Sequence, residues 1–338
     1  MLISIQALRA FAAWVVVLHH FMQVSFDFEI DNPLELLLVT RAQMGVDIFF
    51  VLSGFVIYIT TAGRSIPTHH FLWRRAARIV PVYWFYTAIT AAILYLAGDL
   101  MPIYGIDLPS LLASLIFIPH ANPAGFGDYP VLPVGWTLNF EMMFYLLFAL
   151  CLLLPQRFRL WSLAGAIALL NLLLAHHSPI SDFYGNPIIY EFLLGVGVGV
   201  LYHRGHLAPA RHPWPWIAAA AACLAFMFCF DDQSVWRPIV WGLPAALLVA
   251  ALIRLEPLFS HRHRLRRMGD RSYSVYLVHI IVLWLSEAFL RQGLGISPWI
   301  ALALSLLAIA LLSKMSFELI EKRLTRQLAP SPRPTAPA

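Results

Sequence analysis

Apolar residues gather into long runs along this chain, and polar residues are confined to the short stretches between them. Ten runs are long enough to be read as spans, at 4–24, 43–62, 79–98, 134–154, 158–175, 188–203, 214–230, 236–254, 272–291 and 298–320. About twenty apolar residues in a helix cross the hydrocarbon core of a bilayer. The pattern predicts an all-α integral membrane protein, with about ten transmembrane helices in one bundle. The segment PSLLASLIFIPH, 109–120, is too short to cross and reads as a re-entrant or interfacial piece. Residues 1–325 form one polytopic domain without internal repeats, and the Pro/Ala-rich stretch 326–338 is a flexible tail.

Composition supports this reading. The 338 residues are 60% hydrophobic and 12% charged, with a mean hydropathy of +0.73, whereas an ordinary soluble chain is about one quarter charged. A pI of 9.2 would suit nucleic acid, but the basic residues are dispersed through the connections, where they orient a membrane protein. Cys151, Cys223 and Cys229 lie in apolar runs without metal-ligand spacing and read as packing residues. The histidines of the connections, among them His69, His70, His176, His177, His261 and His263, lack a convergent carboxylate or thiol set, so no metal site is expected. The first run has no basic leader or small-residue cleavage site before it, and is expected to be retained.

With the N-terminus inside, eighteen of the 23 lysines and arginines fall in the inner connections and tail, against Arg41, Arg237 and Arg291 outside. One missed helix would invert everything after it, so this asymmetry predicts that both termini are cytoplasmic.

Ionisable groups at mid-membrane cost about 3 kcal/mol each and ask for a partner, a wet cavity or a function. Arg9, His19, His20, Asp47, Glu141, Glu191, His279, Glu287, Lys314 and Glu318 are such groups. Arg9 and His20 are eleven residues apart, close to three helical turns, and so share a face about 16 Å apart along the axis. His19 points elsewhere and reads as a packing residue. Arg74, Arg75 and Arg78 neighbour one another on a helix, either as membrane anchors or as a bidentate grip for phosphate. Glu141, between aromatic residues, suits orienting an imidazole, holding a sugar hydroxyl or pairing with arginine, and Asp47 invites the same readings. Ser53 and Gly54 read as a small-residue contact for a neighbouring helix. Lys314 and Glu318, four apart, are expected to neutralise each other.

LRAFAAWVVVLHH, GVDIFFVLSGFVI, RRAARIVPVYW, GWTLNFEMMFY, SYSVYLVH and FELIEKRL follow one another over nearly the whole chain. In that order they resemble acyltransferase family 3, the bacterial membrane O-acyltransferases of surface carbohydrates, and look closest to the branch involved in exopolysaccharide production. The family's Arg-x10-His pair falls on Arg9 and His20, its Arg-x-x-Arg on Arg75 and Arg78, its Trp and Glu motif on Trp136 and Glu141, its later histidine on His279 and its terminal glutamate on Glu321. Met142 stands where many relatives carry a second adjacent glutamate.

The resemblance implies transfer of an acyl group, usually acetyl, from cytosolic acyl-coenzyme A to a hydroxyl of an exported or lipid-linked glycan outside. His20, Arg9, Glu141 and Asp47 become the catalytic candidates. Arg74, Arg75, Arg78 and His279 are assigned to the coenzyme, and Trp136, Asn139 and Tyr145 to the acceptor. His20 would serve as general base or carry the acyl group itself, without a metal. The expected partners are acyl-coenzyme A, a carbohydrate, membrane lipid and polysaccharide export machinery or a second copy, at the bacterial inner membrane. The alternative class is a transporter using the same buried charges to move a proton, an anion or a lipid-linked sugar.

Overall fold

The computed structural model describes residues 2–173, 179–230 and 235–328; His176, His177 and residues 329–338 of the tail lie outside them. Fifteen α-helices follow in order: α1 Ile3–Phe26, α2 Pro33–Thr40, α3 Met44–Thr61, α4 Thr68–Leu96, α5 Leu108–Leu115, α6 Trp136–Leu152, α7 Gln156–Ala168, α8 Pro179–Tyr184, α9 Glu191–His203, α10 Trp214–Cys229, α11 Leu243–Arg254, α12 His263–Asp270, α13 Ser272–Ser286, α14 Pro298–Ser316 and α15 Lys322–Leu328. No strand occurs among the described residues.

Among the described residues six helical stretches are long and apolar enough to cross a membrane: Ile3–Phe26, Pro33–Thr61, Thr68–Leu96, Pro133–Leu152, Ser272–Gly293 and Pro298–Leu328. The runs expected at 188–203, 214–230 and 236–254 form the shorter apolar helices Pro187–His203, Trp214–Cys229 and Pro238–Arg254. The 16 residues of α10 rise about 24 Å, less than a hydrocarbon core of about 30 Å. The run at 158–175 becomes α7 followed by a π-helical turn, Leu169–Leu173. The segment at 109–120 holds only the short α5, opened by a capping box in which Asp107 accepts from the Ser110 amide and Ser110 answers the Asp107 amide.

α1 is the axis on which the site is built. Its first amides have no partner within the helix, and the Glu256 carboxylate, far along the chain, accepts from those of Ile3 and Ser4 at 2.7 and 2.9 Å. The second half of α1, with Val16, Val17 and Phe21, packs into an aromatic-rich core. The first half, with Ile5, Leu8 and Ala12, packs into an aliphatic one formed largely with α3 and α11. α12 closes against its start: a Cβ at Gly269 would stand 2.1 Å from the Gln6 carbonyl oxygen, and Gln6 also hydrogen-bonds Asp270.

α3 and α9 meet backbone to backbone. A Cβ at Gly54 would lie 2.0 Å from the Phe192 carbonyl oxygen, and one at Gly195 would lie 1.9 Å from that of Val51. Only glycine permits this approach, the small-residue mode of joining helices in lipid. The contact expected at Gly54 is therefore met by the glycine-rich α9. Large apolar side chains such as Trp84, Tyr95, Leu146 and Leu307 remain on the outside, as a lipid-facing surface requires.

Candidate active site

Two cavities meet beside α1. The first, of about 80 Å³, is lined by Arg9, Arg75, Arg78, Ser53, Glu141 and Tyr145, with Phe49, Thr137 and Tyr273 among its walls. The second, of about 590 Å³, is lined by His19, His20, Gln23, Trp136, Arg237 and the loop residues Tyr104, Phe126, Asp128 and Tyr129. Val46 and Tyr276 line both. Arg9 and His20, on the same helix, thus line different cavities that have Val46 and Tyr276 in common as walls.

The arginine cavity is held by short links between helices. Arg75 donates through Nη2 to Thr60 Oγ1 at 2.9 Å and lies over the rings of Phe71 and Tyr145. Glu141 accepts from Ser53 Oγ at 3.1 Å and from the Tyr145 hydroxyl. Glu321, buried, accepts from Ser274 Oγ at 2.8 Å, and its charge interacts with those of Arg78 and Arg9. Three guanidinium groups and one carboxylate, Glu141, line the cavity, with Glu321 behind them, which leaves an attractive place for an anion.

Behind the wall of the histidine cavity, His20 meets the buried His279. His279 Nδ1 lies 3.2 Å from the Val275 carbonyl oxygen, and His279 Nε2 lies 3.2 Å from His20 Nδ1, itself 3.0 Å from the Val16 carbonyl oxygen. Carbonyl oxygens only accept, so in neutral rings His279 carries its hydrogen on Nδ1 and offers Nε2 as acceptor. His20 Nδ1–H then donates, and His20 Nε2 keeps its lone pair. Above this pair, Phe126 and Tyr129 stack with centroids 5.7 Å apart, and Tyr104 meets Phe126 edge-on. Burial pushes the hydroxyls of Tyr104 and Tyr129 above the usual tyrosine range, so both stay protonated at neutral pH.

Residues 2–315 match the family of acyltransferase domains known as acyltransferase family 3. The chain belongs to that family. It is 35% identical to the exopolysaccharide production protein ExoZ of Rhizobium meliloti, over 76% of this chain and 81% of that one. It is 27% identical to the acyltransferase MdmB of Streptomyces mycarofaciens, over 92% and 88%. A putative peptidoglycan O-acetyltransferase of Bacillus subtilis, YrhL, is 25% identical over 96% of this chain and 55% of its own length. No solved structure matches the chain.

In this acyltransferase the expected residues divide between the cavities, and several stand elsewhere. Asp47 does not orient His20: both of its oxygens are taken by Arg237, from Nε and Nη2 at 2.9 Å each, in a fully buried pair. Buried Glu191 interacts with the same pair. His279, expected beside the coenzyme, meets His20 instead, because α1 and α13 pack side by side. Arg74 is exposed and outside the arginine cavity. Glu141 and Tyr145 join the arginine cavity, whereas Trp136, one to three turns earlier on α6, lines the histidine cavity. Asn139 lines neither and lies in the core, its carbonyl oxygen accepting from the Tyr184 hydroxyl. Glu318 meets Arg271 at 3.3 Å and not Lys314, while Glu287 pairs with Arg291 and accepts from Ser25 Oγ. Among the described residues no group of three metal-ligating side chains converges.

Sequence reasoning passed over Arg237, Tyr276 and the loop aromatics. Tyr276 was within reach, since it precedes His279 by three residues and so shares its helical face. The loop had no such periodic signal.

Proposed function

We propose that this acyltransferase moves an acyl group, most simply acetyl, from acyl-coenzyme A in the arginine cavity to a carbohydrate hydroxyl in the histidine cavity. The observation that carries the reading is that two chemically different cavities beside one helix share Val46 and Tyr276 as walls. Arg75 and Arg78 grip phosphate of the coenzyme, and its pantetheine arm runs between Val46 and Tyr276 to bring the thioester up to His20. The arm resolves the separation of about 16 Å between Arg9 and His20, which no single bond spans.

His20 Nε2 takes the proton from the acceptor hydroxyl as that oxygen attacks the thioester carbonyl carbon. The C–S bond breaks, and the leaving thiolate takes the proton back from the imidazolium, so the histidine ends neutral. His279 is a positioning residue, holding the His20 ring by its Nδ1–H. Arg9 and Arg78 balance negative charge along the donor. The stacked Phe126 and Tyr129 offer a flat apolar face for a sugar ring, with Asp128 and Gln23 nearby for its hydroxyls. The positive-inside pattern makes the arginine cavity cytoplasmic, in a multi-pass inner-membrane protein acting on an exported glycan such as exopolysaccharide.

Reconstituted vesicles test the reading. With acetyl-labelled coenzyme A on one side and polysaccharide on the other, label should become covalently attached to the acceptor. Passage of an intact substrate without acetylation would instead identify a carrier. Proton NMR of polysaccharide from cells with and without the protein locates the acetyl methyl signal.

A further inference from the structure

A third cavity, of about 760 Å³, lies apart from the path described above, between the ends of α3 and α6 and the helices α7 and α9. It shares no lining residue with the arginine cavity. Between them stands an aromatic wall, in which Phe71 packs on Phe148, a lining residue of the groove, at 5.5 Å between centroids, and edge-on against Tyr145 at 6.3 Å.

The groove has two chemically distinct parts. Its rim carries Arg64, Arg157, Arg159 and Arg204, with no carboxylate among the lining residues. Away from the rim the walls are apolar: Leu160, Trp161 and Ala164 on α7, Leu193, Val196 and Val200 on α9. Leu193 and Arg204 are eleven residues apart, so this apolar wall runs about 16 Å back from the charged rim. Gly197 is exposed on this wall, and a Cβ there would meet nothing within 4 Å, whereas Gly195 and Gly199 on the same helix press against α3. Trp161 is 80% exposed at the groove's open side.

We propose that this groove is a binding site for an anionic glycerophospholipid, with the headgroup phosphate among the four arginines and an acyl chain along α7 and α9. A cationic rim continuous with an apolar slot complements a molecule that is anionic at one end and hydrocarbon at the other. Free phosphate or the nucleotide of a coenzyme would leave the apolar slot unfilled. The site is separate from acyl transfer and stands whether or not the proposed donor is correct. It tethers α7, which otherwise meets the bundle mainly through α6.

The full-length protein in neutral detergent, titrated with dioleoylphosphatidylglycerol and followed by native mass spectrometry, tests this. Dioleoylphosphatidylcholine, inorganic phosphate and coenzyme A serve as parallel probes. Phosphatidylglycerol should bind in preference to phosphatidylcholine. The double variant Arg157→Gln/Arg204→Gln should weaken phosphatidylglycerol about thirtyfold at low salt, the loss of two arginine contacts with an anionic lipid. Gly197→Leu, which fills the slot without meeting backbone, should weaken both lipids. Equal binding of the two lipids, unchanged phosphatidylglycerol affinity in the double variant, or displacement of the lipid by coenzyme A would each overturn the proposal. Should one variant misfold, the other decides, since one removes charge at the surface and the other fills open space.

Discussion

His279 Nε2 lies 3.2 Å from His20 Nδ1, joining two helices through residues 259 positions apart in the chain. With His279 Nδ1 turned to the Val275 carbonyl oxygen, the pair presents His20 Nε2 as the free base. His20→Ala should therefore lower acyl transfer by about 10²–10⁴-fold, the span of a general base, with the protein still inserted. His279→Ala should lower kcat and alter its pH profile while the KM for acetyl-coenzyme A stays, and His279→Gln, whose amide oxygen accepts from His20 Nδ1–H, should recover part of the rate. Full activity in His279→Ala would remove the relay.

The arginine cavity separates donor contacts from anchoring. Arg78→Ala should weaken acetyl-coenzyme A binding by about tenfold, one charge-assisted phosphate contact of about 1.5 kcal/mol. Arg74→Ala, at an exposed position outside the cavity, should change it much less. Equilibrium binding of labelled acetyl-coenzyme A to the purified variants distinguishes them, and an unchanged affinity in Arg78→Ala would return the cluster to membrane anchoring.

The aromatic loop above His20 should act on the acceptor alone. Phe126→Ala should raise the KM for the carbohydrate by about tenfold, one aromatic contact of about 1 kcal/mol together with its buried area, and leave the KM for acetyl-coenzyme A in place. Initial rates with each substrate varied in turn make the separation.

Asp47 and Arg237 form a buried ion pair, and removing Asp47 leaves the Arg237 guanidinium with only Glu191 beside it. Asp47→Ala should destabilise the fold by about 3–5 kcal/mol, read as a lower melting temperature and less protein in the membrane. A normally stable but inactive Asp47→Ala would restore a direct chemical role to this carboxylate.

The seam of α3 and α9 makes a stability prediction from glycines on one helix. Gly195→Ala drives a methyl into the Val51 carbonyl and should cost at least about 1–3 kcal/mol, whereas Gly197→Ala faces open space and should be nearly neutral. Thermal unfolding of the two variants compares them directly.

Much of this protein was written in the order of its residues. The long apolar runs compel helices, because a backbone in lipid must satisfy its own hydrogen bonds, and among the described residues six of them appear at membrane-crossing length. The eleven-residue interval from Arg9 to His20 set them on one face of one helix, a consequence of the helical repeat alone. The ordered motifs also sufficed to mark the chain as an acyltransferase. Partner choice lay beyond that local information. Whether Asp47 meets His20 or Arg237, and whether His279 faces the coenzyme or another imidazole, depends on which helices pack together, and residues 190 and 259 positions apart carry no periodic signal of each other. The glycine contacts of α9 with α3 and the Glu256 cap on α1 set those neighbours. Packing alone therefore decided that Arg9 and His20, on one helix, line two different cavities with Val46 and Tyr276 as common walls.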